Sequence, residues 1–168
     1  MVSKIFSIAI VAGIVFSACN TTSKNTDNEK LSGANESTTV ANAEQDIPYT
    51  IANRYFVSNT YKDGDLKNPK ITTQTQFDAL FGMATIMGPN GKPTPIDFSR
   101  QYVLGVIGEL TDRNTGISLI SLKQNANTIL LNYKITEGEK SMATIRPMLL
   151  IIVDNKYEGD VKLVKVPS

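Results

Sequence analysis

The one side chain of this sequence with distinctive reactivity is Cys19, the only cysteine among 168 residues. A thiolate is a strong nucleophile and a soft-metal ligand, and a lone one can be alkylated but cannot close an intrachain disulfide. No histidine accompanies it. That excludes Ser-His-Asp and Cys-His catalysis and removes the commonest zinc and copper ligand. General acid–base work would fall to carboxylates, Lys or Tyr. Glu137 and Glu139 are an acidic pair able to approach a hard cation, but two carboxylates fall short of a calcium shell. Gly88-Pro89-Asn90-Gly91-Lys92-Pro93-Thr94 carries the glycines and the lysine that a phosphate cradle uses. Ile86, however, holds the first-glycine position, and Lys92 is followed by Pro93 instead of a metal-binding hydroxyl that caps a helix. The segment therefore reads as a turn-rich surface loop. No catalytic residue, metal site or cofactor is expected.

What surrounds Cys19 points to lipid chemistry. The chain opens with Lys4 as a positive n-region and continues in an apolar run from Ile5 to Phe16, broken only by Ser7 and Gly13. Twelve residues is the length of a signal h-region and well short of the ~20 that span a bilayer. Small residues, Ser17 and Ala18, precede the cysteine. Phe16-Ser17-Ala18-Cys19 resembles a lipobox, with Phe16 in place of the usual Leu. The resemblance implies cleavage after residue 18, a thioether-linked diacylglycerol on Cys19 and acylation of the new N-terminus. Several acyl chains exceed the two-signal threshold for stable anchoring. Residues 1–18 are then a signal peptide. The mature chain belongs in the cell envelope, at the outer membrane facing the periplasm, with the membrane as its first partner.

Charge narrows the other partners. The sequence holds 17 Lys+Arg against 16 Asp+Glu, and Lys4 is the one charged residue of the signal, so removal leaves 16 of each. A neutral chain offers no strong field to nucleic acid or anionic lipid, and no basic cluster is interleaved with aromatics. Tryptophan is absent, which removes one common interface anchor.

The elements that would position any site begin after a tether. Residues 20–47 are rich in Ser, Thr and Asn, have no aromatic and show no apolar periodicity, so 19–47 is expected to be the lipidated cysteine and a flexible coil reaching ~30 Å. Residues 48–168 form one globular domain, with its folded part from Pro48 to Val166, large enough for a single core. Thr50 to Val57 reads as a strand, and Lys62-Asp63-Gly64-Asp65 as a turn. Thr73 is a candidate N-cap with Gln76 three residues on, as in a capping box. Phe77, Leu80 and Phe81 make one apolar stripe of a short helix, and Gly82 is its expected C′ residue.

The segment from Met83 to Phe98 reads as a loop, with Met83, Met87, Met142 and Met148 expected as core filler. Tyr102 to Ile107 is an apolar strand. In Gly116 to Lys123 the apolar parity flips between Leu119 and Ile120, implying a bulge or two covered faces. Gln124 to Asn127 is a hairpin turn, and Thr128 to Thr136 alternates as a half-buried strand. Met148 to Val153 is a central strand covered on both faces, and Val161 to Val166 closes the domain. The class is α+β and mainly β: an antiparallel sheet of about five or six strands with one short helix packed on it.

Two loops between these strands are polar. One runs from Glu109 through Asp112, Arg113, Asn114 and Thr115 to Gly116; the other runs from Glu137 to Ser141 and on to Arg146-Pro147. Both read first as solvated connections, although loops on a rigid sheet are where recognition concentrates. Gln101-Tyr102-Val103-Leu104-Gly105 resembles the Gln-x-Val-x-Gly motif of cystatin-type inhibitors. It runs straight into Val106-Ile107 with no hairpin turn, so a buried strand is expected.

From Phe98 onward the order of elements resembles the C-terminal domain of the PrcB-type family, named for a lipoprotein subunit of an extracytoplasmic protease complex. The strand Gln101–Val106, the loop ending Thr115-Gly116-Ile117-Ser118-Leu119, a hairpin and the Pro147-led strand Met148–Val153 carry it, over about the last 70 residues. The family has a second glycine and then an aromatic where this chain has Ile117, and Pro-aromatic where it has Pro147-Met148. The resemblance implies a protease partner, contacted through the Asp112–Gly116 loop. The chain as a whole resembles small envelope lipoproteins of the Bacteroidetes type, which implies location. The expected function is a non-enzymatic protein-binding module. The alternatives are a structural envelope lipoprotein or a small-ligand carrier and, last, a hydrolase with two carboxylates ~5–10 Å apart.

Overall fold

A computed structural model describes residues 44–88 and 91–167. In chain order these are β1 (Gln45–Asp46), β2 (Thr50–Ile51), β3 (Tyr55–Val57), β4 (Lys70–Ile71), α1 (Gln74–Leu80), β5 (Phe81–Met83), β6 (Gln101–Ile107), β7 (Thr111–Asn125), β8 (Thr128–Ile145), β9 (Met148–Asp154) and β10 (Asp160–Lys165). The expected α+β class, mainly β with one short helix, is present, its strands spread over three sheets. One sheet has the order β1-β7-β8-β10, a second β2-β9-β6-β4, and β3 and β5 pair by themselves.

The organising feature is one long antiparallel ribbon folded over on itself. β6 and β9 are runs of β-branched and aliphatic residues that pair from Gln101↔Asp154 to Ile107↔Met148. The ladder continues through Gly108, whose N–H donates to Pro147 O at 2.8 Å, and then into β7 and β8 at Thr111↔Ile145. Bulges then bend the ribbon. Between Thr111↔Ile145 and Arg113↔Lys140, and again before Thr115↔Glu137, β8 spends more residues than β7. Extra residues on one strand curl it and raise its twist, and the β7–β8 half comes to lie across the β6–β9 half.

Tyr102, Leu104, Val106, Leu149, Ile151 and Val153 meet Ile117, Leu122, Ile129 and Leu131 between the two layers. The opposite parity of the same two strands, Val103, Leu150 and Ile152, packs on Phe77 and Leu80 of α1 and on Val57, Ile71 and Phe81. β9 is thus covered on both faces, as its unbroken apolar run implies. Each fully buried aliphatic here contributes on the order of 1.5–3 kcal/mol of transfer free energy.

The helix forms as its sequence dictates. Thr73 Oγ1 accepts from Gln76 N–H at 3.2 Å, and Gln76 Oε1 accepts from Thr72 N–H at 3.2 Å, one residue upstream of a strict capping box. Phe77, Leu80 and Phe81 are all buried, with Tyr55 edge-on to Phe77 at 5.1 Å.

Several expectations are corrected. Gly82 is not a C′ residue. Phe81 is already extended, the chain passes straight into β5, and Gly82 lies under the ring of Phe56, where a Cβ would overlap it. The strand expected over Thr50–Val57 is two strands in two sheets, broken at Arg54, which has φ 65. The fold also begins before Pro48. Gln45 and Asp46 pair with Gln124 and Lys123, and Ile47 is 2% exposed in the core, so the expected tether loses its last residues to the domain.

Met83, Met87 and Met142 are exposed instead of core filler. Met142 sits on the wide bulge of β8, and Met87 in a turn segment. The parity flip at Leu119-Ile120 is a bulge, since Leu119↔Tyr133 is followed by Ser121↔Asn132. β10 lies parallel to β8, with Val161 beside Ile129 and Leu163 beside Leu131.

Candidate functional site

The two segments expected to be polar loops are the bent part of the ribbon. Asp112, Arg113, Asn114, Thr115 and Gly116 are strand residues of β7, and Glu137 to Ser141 belong to β8. That corrects their assignment as a loop. Their polarity hid the pairing because both faces of this stretch meet water and no alternation survives. Asp112 Oδ2 lies 3.1 Å from Lys140 Nζ, and Arg113 Nη1 donates to Gly138 O at 3.2 Å, so the charges are spent across the ribbon. Both partners of the ion pair are more than half exposed, which limits it to under about 1 kcal/mol. Thr115 Oγ1 is buried without a hydrogen-bond partner.

Glu137 and Glu139 are both exposed on β8, and among the described residues no group of three or more His, Cys, Asp or Glu gathers around a point. The loop ending at Thr94 is a clamp. Thr94 Oγ1 accepts from Asn53 N–H at 3.0 Å, and Thr94 O accepts from Tyr55 Oη at 2.6 Å. Gln101 to Gly105 is the buried strand β6. Cys19 lies outside the described residues.

At the ribbon corner next to these stretches, around Leu110 and Ile145, lies a cleft of 520 Å³ that no sequence motif announces. Tyr55, Phe56, Val57, Ser58, Asn59 and Tyr61 form one wall; Leu110, Thr144, Ile145, Arg146 and Met148 form the other. Past Tyr55 and Met148, which line both, lies a second depression of 440 Å³ bordered by Tyr49, Ile51, Ile117 and Leu119. Among the described residues ten large apolar side chains are exposed. Five of them, Tyr49, Ile51, Phe56, Leu110 and Ile145, line these two neighbouring clefts. Five of these ten side chains, though not the most exposed of them, thus line two neighbouring clefts, and apolar side chains gathered in this way mark an interaction site.

Among the described residues, Arg146 is the one charged residue lining the first cleft. Its side chain is only 16% exposed, reaches Asp63 Oδ1 at 2.6 Å and Gly108 O at 3.2 Å through Nη1, and lies over the Tyr61 ring at 5.0 Å. Asp63 itself is 83% exposed, on the 62–65 turn where Asp65 N–H donates to Lys62 O. Nε and Nη2 of Arg146 make no hydrogen bond among the described residues, and Thr115 Oγ1 is the sole buried side-chain N or O atom there without a partner, so these two nitrogens open to solvent. Arginine next to a proline that leads a buried strand is the only sequence signal for this seat. In the sequence Asp63 belongs to a turn and Arg146 to the end of a polar segment, 83 positions apart.

A further opening of 380 Å³ runs between α1 and the 65–72 segment, with Leu66, Ile71 and Leu80 beside Lys67 and Lys70. It lies against the helix and is separate from the ribbon corner.

No protein family matches the chain, and no curated protein or solved structure matches it either.

Proposed function

We propose that this chain is a lipid-anchored protein of the cell envelope that binds another protein, without catalysis, through the corner of its folded ribbon. The observation that carries the reading is the collection of exposed apolar side chains along the clefts beside Arg146, with the polar Ser58, Asn59, Ser118 and Thr144 in their lining. An apolar centre with a polar rim is the anatomy of a specific interface. Cys19 would supply the anchor, and the Ser/Thr/Asn-rich stretch after it the reach. If the resemblance to the PrcB-type family holds, the partner is an extracytoplasmic protease and Asp112 to Gly116 form part of the contact.

A photo-crosslinking residue at position 110, compared in cells with one at position 162 on β10, tests this reading. The expected result is one discrete adduct from Leu110, absent from Lys162 and weaker in Cys19→Ala. Equal adducts from both faces, or none from Leu110 in an abundant, lipidated, folded chain, overturns it.

A further inference from the structure

We propose, resting on the protein-binding reading above, that the groove takes an extended peptide segment that adds as a strand to the free edge of β3 and places a carboxylate on Arg146. The register of β3 carries the first half. Tyr55↔Met83, Phe56↔Gly82 and Val57↔Phe81 are partners, Ala84 N–H donates to Arg54 O, and Ser58 N–H donates to Leu80 O. In an antiparallel ladder the hydrogen-bonded pairs alternate with pairs whose main-chain groups point away from the partner. Residues 54, 56 and 58 therefore face β5, and the N–H and C=O groups of Tyr55 and Val57 face the other way. No third strand joins this pair among the described residues; on the same side Asn53, just before β3, is already bonded to Thr94, so the open stretch is Tyr55 to Val57, and both of these residues line the cleft. A strand edge with open donors and acceptors along a groove is the arrangement that captures extended peptides, main-chain bonds giving affinity and side-chain pockets giving selectivity.

Arg146 carries the second half. A guanidinium presents a planar fork that matches a carboxylate, and here only Nη1 is engaged. Its acidic partner among the described residues, Asp63, reaches it from an exposed turn, and so acts as a displaceable internal competitor. Phe56, Leu110 and Ile145 leave apolar wall on either side for the side chains next to the carboxylate.

The test uses the full mature-length chain with Cys19→Ala and a random octapeptide pool with free C-termini. Peptides enriched on this chain and not on its Arg146→Gln variant are resynthesised, and binding is followed by fluorescence anisotropy. Amidating the C-terminus, or separately replacing Asp and Glu by Asn and Gln, identifies which carboxylate is used. The expected loss is about ten-fold or more for one of the two, as for a charge-assisted bond. Asp63→Asn should tighten binding, the opposite sign to Arg146→Gln. N-methylation along the peptide should abolish binding at alternate positions only.

Uniform tolerance or uniform loss on N-methylation overturns the added strand. Equal binding of acid, amide and Asn/Gln peptides overturns the carboxylate seat. A pool that enriches nothing while Leu110 still crosslinks a partner in cells overturns this proposal and leaves the protein-binding reading standing. Failure of both experiments removes both.

Discussion

Replacing Gly108 with Ala tests whether close packing sets the corner of the ribbon. A Cβ on Gly108 would lie 2.8 Å from Pro147 Cγ, while its next neighbours, Ile117 Cδ1 and Pro147 O, stand at an ordinary 3.5 Å. Carbon atoms rest ~3.5–4.0 Å apart, so the proline ring or the ribbon must yield by roughly 1 Å. Pro147 is buried and its ring is part of the backbone, which leaves little freedom. Overpacking of this kind costs about 1–3 kcal/mol.

A second effect opposes it. Gly108 is not among the positive-φ glycines, so alanine fits its backbone and restricts the unfolded chain, a gain of ~0.4–1 kcal/mol. The larger number decides, and Gly108→Ala alone should destabilise by about 1–2 kcal/mol. In a Pro147→Ala background Cγ is gone, only the entropic gain remains, and the same substitution should become neutral or stabilise by up to ~1 kcal/mol. Urea denaturation of the four-member cycle measures this, with unchanged m-values as the check that only stability moved. An equal cost for Gly108→Ala in both backgrounds would refute the reasoning, because the ring could not then be what the methyl meets.

Two further expectations concern buried hydroxyls. Tyr102 Oη donates to Tyr157 O at 2.9 Å, and burial first, then the charge of Asp154, raises its pKa above the ordinary 10.0. A raised folded pKa means that the folded state holds the proton longer. This stability is complete below pH 10 and is lost as pH climbs beyond it. Wild-type melting temperature should therefore fall more steeply than that of Tyr102→Phe above about pH 10, and parallel curves would contradict the assignment. Thr115 Oγ1 is buried and unpaired, and such a group costs about 1–3 kcal/mol of lost solvation. Thr115→Val keeps the shape, so its urea midpoint should rise; a lower midpoint means the hydroxyl has a partner in solution.

Legibility in the sequence followed how local each signal was. The helix was readable because Thr73, Gln76 and the Phe77–Leu80–Phe81 stripe lie within one stretch and need no distant partner. The bulge at Ile120 was readable because a slip of one residue reverses which side chains are apolar. β9 was readable because a strand covered on both faces has nothing polar to interrupt it. The stretches 111–116 and 137–145 were not readable. Their pairing is main chain to main chain, and water on both faces removes the alternation that marks a strand. The role of Gly82 depends on Phe56, twenty-six positions earlier, crossing the sheet above it. The groove depends on the same kind of juxtaposition: Tyr55 to Tyr61 and Leu110 to Met148 meet only because the ribbon folds back. The predicted contact residues, Asp112 to Gly116, line neither cleft, and Arg146 is visible in the sequence only as the end of a polar run.

The parallel seat of β10 beside β8 has a consequence in time. Ile129 and Leu131 gain their outer neighbours, Val161 and Leu163, only after the chain has run through the whole of β9 in the other layer. The β7–β8 hairpin can zip from its turn as soon as it exists, but its layer stays open along one edge until a segment made later returns to it. Closure by distant pairing is slow, in the millisecond-to-second range for sheet-dominated domains. A chain threaded through a membrane before folding, as the proposed export requires, gains from that delay. The outer edge of β8 is covered only once β10 is present as well.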